Sequence, residues 1–170
     1  MFRFCSELET VNSDFSSLTE CNNMFGEVPC LKTINADFSS LTTGRGMFYL
    51  DNSLTTFIGD LSSLTDGDYM FSYCNKLVNF NSDLSSLTSG YNMFYSCVLS
   101  GESVENILIS LPQVNEEQPL TLGVSDEGLA KAKEMIQIDD ENLYGTYKGW
   151  RIQMYKNVAS STNCSCGGCC

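Results

Sequence analysis

Four of the nine cysteines crowd into the last seven positions, as Cys164-Ser-Cys166-Gly-Gly-Cys169-Cys170. Thiols at this density can wrap a soft metal ion such as zinc, or form disulfides and other covalent links between chains. Structural zinc sites usually draw Cys-x-x-Cys pairs from separated segments, whereas this cluster is one run. The paired glycines supply the flexibility that either a metal knot or an inter-chain disulfide needs. A terminal Cys-Cys also fits lipid modification, although it lacks the Cys-a-a-X pattern. The remaining alternative is a solvated tail whose thiols are incidental. Cys5, Cys21, Cys30, Cys74 and Cys97 are dispersed, and read as buried thiols. An odd total of nine excludes complete pairing within one chain.

Catalysis finds little support. A nucleophilic thiol needs a base, and the chain contains no His. Acid–base chemistry would then fall to carboxylates, Lys or Tyr. No phosphate-binding glycine motif, Gly-x-Ser-x-Gly elbow or zinc-protease signature occurs. Asp14, Asp37, Asp60 and Asp83 recur inside Asp-(Phe/Leu)-Ser-Ser-Leu-Thr. They could form a cation ladder, but one carboxylate per copy offers few ligands. The preferred reading is an Asx turn or helix N-cap, each carboxylate accepting a backbone N–H two or three residues on. Asp139-Asp140-Glu141-Asn142 lacks calcium-loop spacing and reads as solvating a helix end. A non-enzymatic protein without a cofactor is expected.

The element that positions these aspartates is a repeat. Aligned on Met-Phe, units of 23 residues start at Met1, Met24, Met47 and Met70 without insertion or deletion, and a partial fifth starts at Met93. Each carries the same apolar positions, exemplified by Met47, Phe48, Leu54, Phe57, Leu61 and Leu64. No single unit can bury them; stacking one turn per unit can. The Leu-x-x-(Val/Ile/Phe) stretch predicts a short parallel strand, and the Ser/Thr/Gly/Asn-rich stretch after it a turn. The expected fold is an α/β repeat solenoid, with repeats over 1–97, a C-terminal α/β cap over 98–156, and a polar linker with Cys-rich tail over 157–170.

The motif Met-Phe-x-x-Cys-x-x-Leu, intact at Met70 to Leu77 and Met1 to Leu8 and partly present at Met93 to Cys97, resembles the bacterial surface-antigen (BspA-like) type of leucine-rich repeat. Val28 and Asp51 stand in the cysteine's place in the second and third copies. The resemblance implies a small packing residue there, in a turn before the strand. The segment after Cys97 looks like the closing segment found after such repeats in gut-bacterial and bacteriophage proteins. Its residues predict a helix with a Ser103 start and a Pro112 stop. A strand follows with Leu120, Leu122 and Val124 on one face. A second helix starts at Ser125, with Leu129, Ala132 and Ile136 inward, and a last strand carries Trp150, Ile152 and Met154.

Solenoids present variable positions beside the strand as a binding surface. Here these are Glu9, Thr10 and Asn12; Lys32, Thr33 and Asn35; Thr55, Thr56 and Ile58; and Val78, Asn79 and Asn81. Their Thr/Asn-rich chemistry fits a protein or glycan partner, and equally a plain solvated face. Met1-Phe2 already sits in register, so Phe2, Phe4, Leu8 and Val11 are expected near an open end with an unpaired strand edge. That end is an assembly surface for a homo-oligomer or larger particle, or a cut through a longer chain. The two functional readings are an interaction module at a cell or particle surface and a structural subunit of a phage virion or surface appendage. A net charge of −12 opposes nucleic acid and anionic membrane. No run is apolar enough for a membrane span, and the first residues lack a signal-peptide pattern. A cytosolic chain, a packaged one and a piece of a longer secreted protein remain open.

Overall fold

The computed structural model describes residues 1–157. It is an α/β fold built on two sheets. Strands β1 (Thr10–Asp14), β2 (Thr33–Asp37), β3 (Thr56–Asp60) and β4 (Asn79–Asn81) form a parallel sheet in that order. The register advances by one repeat at every step, with Val11 beside Ile34, Ile34 beside Phe57, and Phe57 beside Phe80. The strands start two residues beyond the leucine, not at it as predicted. The leucine amide is used in a tight turn, donating for example from Leu54 to Asp51 O at 3.0 Å and from Leu77 to Cys74 O at 2.9 Å.

Two further segments of each copy bond to their equivalents. The Phe2 amide donates to Met24 O, Phe25 to Met47 O, Phe48 to Met70 O and Phe71 to Met93 O, all within 2.9 Å. Thr is used where it bonds twice: the amides and hydroxyls of Thr42, Thr65 and Thr88 donate to the carbonyls of Thr19, Thr42 and Thr65. The chain therefore satisfies its backbone in the neighbouring copy around most of its path.

The core repeats with the same period. Phe2, Phe25, Phe48, Phe71 and Phe94 stack nearly parallel, with centroids 5.1–5.4 Å apart. From the strand wall, Phe57 and Phe80 meet Phe71 and Phe94 edge to face across the interior, both at 4.9 Å. Offset and edge contacts of this kind add about 0.5–1.5 kcal/mol per pair beyond burial. Each copy also holds two left-handed residues. One column is Phe4, Glu27, Leu50, Tyr73 and Ser96; the other is Asn23, Gly46, Tyr69 and Asn92.

Strand β5 (Gly90–Leu99) joins the two halves. It continues the ladder, with Tyr69, Phe71 and Tyr73 amides donating to Tyr91, Met93 and Tyr95 carbonyls, and opens a second sheet of order β5-β6-β9-β8-β7. The other members are β6 (Gln118–Val124), β7 (Ile138–Asp139), β8 (Tyr144–Tyr147) and β9 (Trp150–Lys156). β5, β6 and β9 run parallel; β7 and β8 are antiparallel. Leu120, Leu122, Val124, Trp150, Ile152 and Met154 are buried, as their alternation predicted. The short β7–β8 pair escaped the sequence reading. The acidic run turns between these two strands instead of ending a helix, and the Asp139 carboxylate accepts the Glu141 and Asn142 amides at 2.8 and 3.2 Å.

Helix α1 (Gly101–Ser110) is capped by Ser100, not by the predicted Ser103. Ser103 is buried one repeat beyond Phe80, where a fifth strand would lie. Its hydroxyl donates to Val78 O at 2.8 Å and accepts the Phe80 amide at 2.9 Å. One side chain thus supplies the donor and acceptor that β4 would otherwise seek in a neighbouring strand. Helix α2 (Asp126–Met135) starts as predicted, Ser125 Oγ accepting the Gly128 amide at 3.1 Å. Lys148 closes the other end of α1 by donating to Ile109 O and Leu111 O at 2.8 and 2.7 Å.

Candidate functional site

The predicted strand-face residues come together on one surface. Thr10, Thr33, Thr56 and Asn79 form one register column, and Asn12, Asn35, Ile58 and Asn81 a second. All are exposed except Thr33 and Thr56, which are half-buried. Glu9, Lys32, Thr55 and Val78 continue the surface beside the first column and are exposed, with Lys32 Nζ 2.9 Å from Glu9. Beyond the second column lies an open depression of about 690 Å³, where Asn35, Ile58 and Asn81 border Asp37, Asp60 and Asp83. Ala36, Gly59 and Ser82 line its floor between the outward-facing residues; Ala36 is buried on the core side, and a Cβ on Gly59 would meet Ala36 O at 2.8 Å and the Phe57 ring at 3.0 Å.

The aspartate column is built as Asx turns. Asp14, Asp37, Asp60 and Asp83 each accept the amide of Ser16, Ser39, Ser62 or Ser85 at 2.8 Å. The Ser16 and Ser62 side chains and amides hold the carboxyls of Asp14 and Asp60 below the usual range. The repeated carboxylate is thereby occupied in the turn at or just after the end of each strand.

At the open end, Phe4 is 63% exposed and Phe2 and Leu8 are half-buried, but Val11 is only 7% exposed. Val11 sits on the inward side of β1, under the second copy, and offers nothing to a partner. Of the dispersed cysteines, Cys21, Cys74 and Cys97 are buried free thiols as expected. Cys5 is exposed, and Cys30 is disulfide-bonded, not free. Burial raises the thiols of Cys74 and Cys97, which keeps both protonated and donating to Phe48 O and Phe71 O at 3.1 and 3.3 Å. Cys164, Cys166, Cys169 and Cys170 lie outside the described residues.

Asp51 occupies the same column as Cys74 and Cys97, and is fully buried. Its Oδ1 accepts the Val28 amide at 2.7 Å, while Oδ2 has no hydrogen-bond partner among the described residues. Burial, with a smaller contribution from nearby Glu27, pushes its carboxyl up to about 8, against the opposing Val28 hydrogen bond.

A second surface was not singled out by the sequence reading. Tyr49, Tyr73, Tyr95 and Tyr155 run edge to face in a continuous file with centroids 5.1–5.7 Å apart. Tyr69 and Tyr91 form a separate edge-to-face pair at 5.4 Å. Tyr91 and Tyr155 border a depression of about 410 Å³ on the outer face of the second sheet, whose other lining includes Asn92, Thr121, Tyr144 and Gln153. Strand alternation places these side chains: Thr121 lies on the sheet face opposite Leu120 and Leu122, level with Gln153, which in turn pairs with Tyr144, but Thr121 is itself only 5% exposed at the base of the depression. The only sequence signal was that Tyr49, Tyr73 and Tyr95 follow the Met-Phe pairs closely; their meeting with Tyr155 required the fold.

No helix among the described residues is long and apolar enough to cross a membrane. Comparison with protein-family models, with curated proteins and with solved structures returns no match for this chain.

Proposed function

We propose that the chain is a leucine-rich-repeat solenoid of the bacterial surface-antigen type, working as a non-enzymatic interaction module at a cell or particle surface. The observation that supports this most is the register of the strand face. Exposed Asn and exposed or half-buried Thr side chains, with Ile58 interrupting the Asn column, are repeated at strand spacing over an apolar core, and so form a flat array suited to a protein or glycan partner. Asn35 and Asn81 stand at the centre and far edge of that array. Protein and glycan arrays probed with the wild type should yield a partner that the Asn35→Ala/Asn81→Ala double variant no longer retains. Full retention by the double variant of every partner captured would overturn the strand-face reading.

The second reading is a structural subunit of a virion or surface appendage. Its support is the exposed Phe4 beside half-buried Phe2 and Leu8, next to β1, which among the described residues pairs with β2 alone. Native mass spectrometry should then show oligomers that Phe4→Asp disperses. A wild type that stays monomeric at high concentration would end this reading.

A further inference from the structure

We propose that the tyrosine-lined depression on the second sheet is a binding site for a neutral carbohydrate. This rests on the non-catalytic binding reading above and adds a second surface to it. The two walls of the repeat meet through Phe57, Phe71, Phe80 and Phe94, so the tyrosines stand on the wall across the core from the strand face.

The rings are exposed but held. Tyr91 is 45% and Tyr155 42% exposed, each braced edge-on by a neighbour, Tyr69 and Tyr95 respectively. The Tyr91 backbone is pinned in turn: Asp68 Oδ1 accepts its amide at 2.9 Å and the Ser89 hydroxyl at 2.7 Å, while Arg45 pairs with Asp68 at 3.2 Å. A ring with two torsions, already fixed, loses little entropy when a ligand covers it. Tyr69 adds a further sign. Its left-handed column otherwise holds Asn23, Gly46 and Asn92, the residue types that tolerate that conformation, so an aromatic is kept there against backbone preference.

The polar groups match a sugar. Ring C–H faces of a pyranose lie flat on aromatic rings, whose π faces carry negative charge. Each sugar hydroxyl both donates and accepts, and therefore needs amides and hydroxyls at close spacing. Here the nearly buried Thr121 hydroxyl donates to Asn92 Oδ1 at 3.1 Å and Gln153 Nε2 to Asn142 O at 2.7 Å, which orients the Asn92 amide at one side of the depression and the Gln153 amide at the other, where Gln153 is the register partner of Tyr144. Glu117 and Arg151 at the rim lie 3.5 Å apart and compensate each other, and the chain as a whole carries −12, so an anionic sugar is disfavoured. A protein partner would want a deep apolar pocket for an anchor residue. Among the described residues the aliphatic lining is Pro119 and Leu120, which does not make one.

The test is a glycan array carrying neutral and acidic oligosaccharides, followed by calorimetric titration of the best neutral ligand into the full chain. Tyr91→Ala, Tyr155→Ala and Arg151→Ala are compared with Asn35→Ala/Asn81→Ala, with circular dichroism establishing that each is folded. Neutral glycans should bind the wild type, and each tyrosine variant should weaken binding about tenfold or more. Arg151→Ala, at the solvent edge, should weaken it less, and the strand-face variant not at all. Absence of any neutral glycan ligand overturns this inference, as does binding that survives loss of both tyrosines. Glycan binding lost only in the strand-face variant overturns it while upholding the module reading, and a protein ligand lost on Tyr91→Ala replaces the carbohydrate with a protein epitope.

Discussion

Asp51 makes stability depend on pH in a window where little else titrates. The cysteines of its column donate to carbonyls from thiols that burial keeps protonated; a carboxylate in that place has nothing to donate. Its carboxyl titrates at about 8 when folded, against about 3.9 in an unfolded chain. Between these values the folded state binds the extra proton, so stability is full below the unfolded value and declines as pH rises through the folded one. The slope is about 1.4 kcal/mol per pH unit, or about 4 kcal/mol from about pH 5 to about pH 8. That is a large share of the ~5–15 kcal/mol that holds a domain folded. The chain contains no His to add a slope of its own, and the shifted Asp14, Asp60 and Asp139 carboxyls act in the opposite direction at acid pH. Asp51→Asn keeps the shape and removes the ionisation. Urea unfolding under reducing conditions should show a wild type that weakens steadily over this range and a variant that stays nearly level. Parallel curves for the two proteins would refute the reasoning, because they would mean that water or a partner reaches Oδ2.

Phe48→Ala removes a fully buried ring stacked between Phe25 and Phe71 at 5.4 and 5.2 Å, and should cost about 3–5 kcal/mol in the same unfolding assay. Ser103→Ala strands the Phe80 amide and the Val78 carbonyl together, and should cost about 2–4 kcal/mol. Hydrogen exchange localises that effect: the Phe80 amide should lose protection while Ile34 and Phe57 keep theirs. Unchanged exchange at Phe80 would mean that α1 is replaced in this role by another donor and acceptor.

What the sequence settled by itself was everything that recurs. A 23-residue spacing of Met-Phe, Leu, Val/Ile/Phe and Leu specifies stacking, because apolar side chains that one copy cannot cover must find their equivalents in the next. The Asx turns at Asp14 and its equivalents were legible too, since an Asp bonding two residues on is a local event. Alternation in Leu-Thr-Leu-Gly-Val and Trp-Arg-Ile-Gln-Met revealed β6 and β9 for the same reason. What escaped were contacts between residues far apart in sequence. Ser103 looked like a helix cap until α1 was seen to occupy the place of a fifth strand. Asp51 looked like a tolerated exchange for cysteine, because nothing local reveals that the next copy closes over it. Tyr95 and Tyr155 lie 60 positions apart and touch only because β5 and β9 flank β6 in one sheet. Periodic burial is written along the chain; the meeting of single side chains on a surface is decided by which elements become neighbours.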